Sequence, residues 1–128
     1  MENKIFIKLD SDLYKKINFL GFYCHFISVA TIIIRILGII GSIIMLSRLS
    51  RFSGYYYYYF TLISAFLLTT FDIYIETIVF KTGTFFKKSI AENDGEILKM
   101  ALLRNAFSVK LTIILIIVST SIKIISLI

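Results

Sequence analysis

Three long apolar runs, separated by polar segments, dominate the pattern of the chain. The first run covers 18–46 and contains one charged side chain, Arg35; the second covers 55–80 and the third covers 109–128. About twenty residues of α-helix, at 1.5 Å per residue, cross a hydrocarbon core of about 30 Å. Each run is therefore long enough to span a membrane. The predicted helices cover about 18–47, 55–80 and 97–127.

The first polar segment is an N-terminal tail over 1–17, which carries charges of both signs. Asp10 or Ser11 is a suitable cap for a short amphipathic helix lying at the membrane interface. The following apolar run has no turn signal around Arg35, which favours one long helix over two short ones. A short basic loop over 47–54 then connects the first and second helices.

The longest polar segment covers 81–108. Its first part predicts a polar loop between helices 2 and 3. The sequence Asn93-Asp94-Gly95 inside it has turn chemistry. After this turn, apolar residues recur at helical spacing, so we expect helix 3 to begin near Glu96. The predicted fold class is all-α, with residues 18–128 forming a single three-helix transmembrane domain.

The composition supports an integral membrane protein. Hydrophobic residues make up 58% of the chain and the mean hydropathy is +0.86, whereas soluble domains are about 45–50% apolar. The net charge is +6. Because Lys and Arg flank the apolar runs, this charge indicates membrane topology rather than nucleic-acid binding. The positive-inside rule places the N-terminus inside and the C-terminus outside.

The sequence carries no pattern typical of an autonomous enzyme or a metal centre. It has no nucleotide-binding glycine loop and no nucleophile constellation. Its single cysteine, Cys24, adjoins its single histidine, His25, and no cluster has metal-ligand spacing. We expect no metal and no cofactor, with His25 as a helix-start residue at the interface; haem ligation by His25 is the alternative.

Ionisable side chains inside the apolar runs are the candidate chemistry. Asp72 and Glu76 are spaced i,i+4 and share one helix face. In a hairpin of helices 1 and 2, Arg35 lies about 20 Å from the turn and Asp72 about 27 Å, within reach of a guanidinium stem. We expect an Arg35–Asp72 or Arg35–Glu76 pair. Together with Lys110, these are candidates for a proton path or for locking helices together, unless Glu76 and Asp72 lie near the headgroups beside Lys81.

Two further patterns concern helix surfaces. Gly38, Gly41 and Ser42 form a small-residue face that lets another helix approach closely, although glycine is also simply common in membrane helices. Five consecutive tyrosines over 55–59 predict an aromatic belt at the membrane interface. A quinone or other ligand site is the alternative for these tyrosines.

The segment Ile36–Met45, ILGIIGSIIM, resembles the first helix of NADH:ubiquinone oxidoreductase (complex I) subunit 4L. A short basic loop follows that helix in the family and is matched in this chain by Arg48 and Arg51. The resemblance covers most of 32–117. It implies three spans, an acid-bearing second helix and support of proton translocation. Asp72 and Glu76 lie further along helix 2 than that family's carboxylate, and no acid stands near 105–106, where the family has its second one.

The resulting expectation is a small hydrophobic subunit of a respiratory-chain complex in a mitochondrial inner membrane. It would not be catalytic alone, and its partners would be other membrane subunits and lipids, with no nucleic acid. The abundance of Ile, Phe, Tyr, Lys and Asn, whose codons are rich in A and T, suits a mitochondrial or AT-rich bacterial genome. The alternatives are an accessory subunit of cytochrome oxidase or ATP synthase, a bacterial plasma-membrane immunity or inhibitor protein, and a homo-oligomeric pore.

Overall fold

The computed structural model describes residues 10–49 and 55–125, without the side chains of Leu49 and of 55–58. They form three helices: α1 over Ser11–Leu49, α2 over Tyr55–Glu92 and α3 over Gly95–Ile125. All three are long and apolar enough to cross a membrane. The fold is therefore all-α, as predicted, and it indicates a multi-pass membrane protein. The predicted aromatic belt falls largely on side chains outside this description.

The helix α1 is a single unbroken helix of 39 residues, which confirms the prediction of one helix around Arg35. It begins at Ser11 rather than near 18, so the predicted start of the first helix is wrong, whereas Asp10 is one of the two predicted caps; residues 1–9 lie outside the described part. Asp10 explains the early start: its side chain accepts a bond from the Ser11 N–H at 2.7 Å, and its carbonyl accepts one from the Tyr14 N–H at 3.0 Å. Such caps satisfy the free donors of a first turn.

The helix α2 does not end at Phe80 but continues to Glu92, so the predicted polar loop between helices 2 and 3 is wrong for 81–92. The polar extension is helical because it has a buried stripe at helical spacing, formed by Thr82, Phe86 and Ser89, while its lysines face outward. Only a two-residue turn then separates α2 from α3.

That turn has a defined end and a defined start. Asn93 adopts φ 50°, a left-handed conformation that asparagine tolerates, and the amides of Asn93 and Asp94 bond back to the carbonyls of Ile90 and Ser89 at 3.3 and 3.0 Å. The Asp94 side chain then accepts from the Glu96 N–H at 2.9 Å and caps α3. The predicted turn and the predicted start of helix 3 are thus within one residue of the structure.

The central helix is α2, which packs against both α1 and α3; among the described residues no Cα atoms of α1 and α3 come within 8 Å. The buried core lies at the end of the bundle that holds the start of α1 and the turn between α2 and α3. It is formed by Ile17 and Cys24 of α1, Phe86 of α2 and Ala101 of α3. The tightest packing is therefore at this end of the bundle, which we call the polar end.

The other ends of the helices are apolar but not buried within the chain. In the most apolar stretch of each helix, 0%, 11% and 6% of the residues of α1, α2 and α3 are buried. Exposed apolar surface of this extent must be covered by lipid or by other proteins. The hydroxyl groups on it bond to carbonyls of their own helix, as Thr69 does to Ala65 at 2.7 Å and Thr70 to Phe66 at 2.9 Å, so they tolerate an apolar environment.

Candidate functional site

The site is built on the crossing of α1 and α2, which is set by two glycines. A Cβ atom placed on Gly83 would lie 2.8 Å from the carbonyl oxygen of Gly21 and 2.8 Å from the ring of His25. Real Cβ atoms do not approach so closely, so the two backbones meet here only because both residues lack side chains. This contact was not predicted from the sequence. Gly21 and Gly83 lie the same number of residues from the helix ends that flank 50–54, but this match is visible only once the helix ends are known, because the predicted second helix stopped at Phe80.

His25 takes part in this crossing. Its Nε2 atom lies 3.1 Å from the Thr84 hydroxyl, and its ring packs on Phe80 with the ring centres 4.4 Å apart. It lies well inside α1, so its assignment as a helix-start residue is wrong. Among the described residues no group of three or more His, Cys, Asp or Glu side chains could hold a metal ion.

The predicted ion pair between helices 1 and 2 is present. The Nε atom of Arg35 on α1 pairs with Oδ2 of Asp72 on α2. The Asp72 side chain is only 10% exposed, whereas that of Arg35 is 51% exposed. The carboxylate is thus enclosed between the helices, and the guanidinium closes it off from the outside. Removing one member of such a pair would leave an uncompensated charge in an apolar environment.

Glu76 lies one turn beyond Asp72 on the same face of α2 and does not join the pair with Arg35. It is partly buried, and its Oε2 atom has no hydrogen-bond partner in the described part of the chain. The buried side chain of Ser28 faces its carboxyl group. The Ser28 hydroxyl donates to the Cys24 carbonyl at 2.7 Å, which holds it in place beside the Glu76 carboxyl group.

The fourth charge candidate is separate from this cluster. Lys110 is exposed on α3 and takes part in none of the ion pairs formed by the described residues. α3 instead contributes Arg104, whose guanidinium lies 4.4 Å from the centre of the Phe85 ring. The charged site within the membrane-length part of the chain therefore consists of Arg35, Asp72 and Glu76.

The small-residue face is not used in packing within the described part of the chain. A Cβ atom on Gly38 or on Gly41 would have no other atom within 4 Å. The Ser42 hydroxyl donates to the Gly38 carbonyl at 2.9 Å. Packing of another molecule's helix on these residues stays a prediction.

A groove opens where α1 and α2 separate beyond the ion pair. This α1–α2 groove is lined by residues within 34–43 of α1 and 62–69 of α2, and its volume is about 510 Å³. Arg35 lies at one end, and Gly38 and Ser42 lie along its wall. The Arg35 guanidinium is therefore shared between the buried Asp72 carboxylate and an open apolar groove.

The arrangement can do two things chemically. The Arg35–Asp72 pair can hold two helices in one register, and Glu76 can take up and release a proton next to the Ser28 hydroxyl group.

No protein family, curated protein or solved structure matches the chain.

Proposed function

We propose that the chain is a small subunit of a larger membrane assembly. The Arg35–Asp72 pair carries this proposal, because half of the guanidinium side chain is exposed on a segment whose outer surface is apolar. An arginine at the centre of a membrane helix costs about 2.5–3.5 kcal/mol on insertion scales, so such residues face protein or water rather than lipid. A neighbouring subunit would supply that environment.

The assembly we favour is a respiratory-chain complex of the mitochondrial inner membrane, and within it the membrane arm of complex I. The resemblance of Ile36–Met45 to subunit 4L supports this choice, together with a carboxylate pair in the second helix. In that setting the chain would not be catalytic alone. It would support proton translocation coupled to electron transfer from NADH to quinone.

Within this function the three charged residues have different roles. Glu76 is the proton-carrying candidate, because its carboxyl group is partly buried, is not paired with Arg35 and lies beside the Ser28 hydroxyl group. Arg35 and Asp72 neutralise each other and fix α1 against α2. A fixed ion pair one turn away keeps Glu76 in one position while its own charge changes.

The first test is the native size of the chain, extracted from its own membrane in a mild detergent and separated by native electrophoresis. Migration in a very large band that also carries NADH dehydrogenase activity supports the complex I proposal. A large band with cytochrome oxidase or ATP synthase activity moves the chain to that complex instead.

Migration as a small species would contradict the subunit proposal. The alternative hypothesis is then a small membrane protein that binds and blocks one partner, such as a bacterial immunity protein. Genes for a toxin beside this one, rather than respiratory genes, would favour that reading.

A further inference from the structure

Arg35 has hydrogen-bond donors that the described part of the chain does not use. A guanidinium group carries five N–H donors, four of them on its two Nη atoms. Its Nε atom pairs with Asp72, and no other residue in the described part of the chain accepts from Arg35. The side chain is half exposed, and it lines the α1–α2 groove. Arg35 therefore has donors beside the groove for which the described part of the chain offers no acceptor.

The depth of Arg35 limits what can satisfy those donors. Arg35 is separated from Leu46, near the end of the apolar run, by about 17 Å of helix, which is half of a hydrocarbon core of about 30 Å. Lipid tails carry no hydrogen-bond acceptor, and the ester and phosphate oxygens of lipids lie near the membrane surfaces. A lipid in the groove would cover its apolar walls but leave the guanidinium donors without partners.

The walls of the groove are suited to a helix. Gly38, which lines the groove, has no neighbour within 4 Å of a Cβ position, so a helix can approach the α1 backbone there. Large apolar side chains that face outward, among them Ile34, Ile63 and Phe66, border the same groove. The small residues allow close approach, and the large ones provide apolar contact area.

The charge balance determines the chemistry of the acceptor. Asp72 already neutralises Arg35, and Glu76 provides another carboxyl group one turn away. A third carboxylate at this depth would add repulsion, whereas a side-chain amide or hydroxyl group accepts from the guanidinium without adding charge. We propose that the α1–α2 groove docks a transmembrane helix of another protein that presents an uncharged acceptor, a side-chain amide or hydroxyl group, to Arg35. This inference rests on the proposed subunit function and names the partner's chemistry.

A second copy of this chain is a less suitable occupant. In a symmetric dimer the same groove of both copies meets, so a second copy would bring a second Arg35 with the same unused donors and would add as many donors at this depth as it satisfies. A helix from a different protein is not restricted in this way.

The test is photocrosslinking in the native membrane. Benzoylphenylalanine replaces Phe66, which lines the groove and is 58% exposed, and as a matched control replaces Phe71, which is 40% exposed on the same helix but does not line the groove. Each of the two benzoylphenylalanine substitutions is made in the wild-type background and in the double variant Arg35→Leu, Asp72→Leu. The double variant removes the donors without leaving an unpaired charge.

The expected result is a crosslink from position 66 to one transmembrane segment of another protein, with an Asn, Gln, Ser or Thr at mid-membrane depth. Its yield should fall about tenfold in the double variant, which is the effect of losing one interhelical hydrogen-bonded contact, and replacement of that acceptor by Leu should reduce it equally. The yield from position 71 should not depend on Arg35.

Four outcomes would overturn the inference: crosslinks to lipid alone, crosslinks to a second copy of the chain, an acidic residue at the mapped depth, or a yield that does not depend on Arg35. The proposed subunit function fails separately, through a small native size. A large native size with lipid crosslinks would reject only the docking inference.

Discussion

Gly21 of α1 and Gly83 of α2 lie in direct backbone contact, and this contact sets how closely the two helices pack at the polar end. A Cβ atom on Gly21 would lie 3.1 Å from the Gly83 carbonyl oxygen, and one on Gly83 would lie 2.8 Å from the Gly21 carbonyl oxygen. The neighbouring Cys24, His25 and Phe86 side chains pack around the same crossing. The alignment of α1 and α2 at this contact also determines how the two helices are aligned at the Arg35–Asp72 ion pair.

Substitution of Gly83 by Ala is therefore expected to destabilise the protein. The added methyl group meets backbone and ring atoms that cannot move independently, and overpacking of this kind typically costs about 1–3 kcal/mol. Thermal unfolding in mild detergent can be followed by the reaction of Cys24 with a thiol-reactive fluorophore, because Cys24 is buried and is the only cysteine. We expect the Gly83→Ala midpoint to fall by several degrees.

Gly38→Ala is the matched control for this prediction. Gly38 has nothing within 4 Å of its Cβ position, and alanine is the better helix former. Its midpoint in the isolated chain should be unchanged or slightly raised. Equal midpoints for the two variants would show that the glycine crossing is not a tight contact.

The Arg35–Asp72 pair predicts strong coupling between two substitutions. Arg35→Met or Asp72→Leu alone leaves one charge unpaired; breaking a fully buried pair costs about 3–5 kcal/mol, and the loss here should be smaller because half of the Arg35 side chain is exposed. The double variant should be more stable than either single variant, and the charge-swapped protein should recover part of the loss. The same thermal assay, analysed as a double-mutant cycle, measures the coupling.

The exposed pair of Lys16 and Asp12, 2.7 Å apart on α1, provides the comparison. Both side chains are about two-thirds exposed, and such pairs contribute little. Lys16→Met should leave the midpoint unchanged. Additive effects of the Arg35 and Asp72 substitutions would mean that the two charges are not coupled.

The number of helices and the ion pair could be predicted from the sequence because both follow from one-dimensional rules. Apolar length fixes the number of spans, and counting residues from the turn places Arg35 and Asp72 at similar depths. The pair that formed is the first of the two alternatives, Arg35 with Asp72, and Glu76 packs by Ser28 instead. Choosing between carboxylates one turn apart requires the rotation of the helices, which depth alone does not give.

The extension of α2 to Glu92 was missed for a different reason. Its exposed lysines, Lys87 and Lys88 among them, raise the average polarity of the segment, while the residues that pack inward are one large side chain, Phe86, and small hydroxyl residues. Average hydropathy hides such a narrow stripe, which only its spacing reveals. The contact between Gly21 and Gly83 was missed because it is formed by single residues on two helices rather than by a motif on one.

The docking of α3 depends on a small residue at its contact with α2. Ala101 is fully buried in the core at the polar end, whereas Ala106 on the same helix is exposed. Ala101→Leu adds three carbon atoms where no space exists, so the midpoint of thermal unfolding should fall, at a cost of about 1–3 kcal/mol. Ala106→Leu makes the same change on the outer face and should have no effect. Similar losses in both variants would contradict the packing of α3 against α2 through Ala101.

The role of Glu76 is tested by the isosteric change Glu76→Gln. The amide keeps the size of the side chain, and replacing a carboxyl group whose Oε2 atom is buried without a hydrogen-bond partner should not reduce stability. If Glu76 carries a proton in a respiratory complex, the variant should assemble into the large native band in normal amounts. The rate of proton translocation, measured in sealed membrane vesicles, should fall by roughly tenfold or more.

The control for Glu76→Gln is Glu92→Gln, at the exposed end of the same helix, where Glu92 lies 3.6 Å from Lys88. It removes one carboxylate from α2 but leaves the charge cluster intact, so translocation should be normal. Normal translocation in both variants would assign Glu76 to the packing of α1 against α2 and leave the proton path to other subunits. Loss of the large band in Glu76→Gln would instead show that its carboxyl group is needed for assembly, which contradicts a role confined to proton transfer.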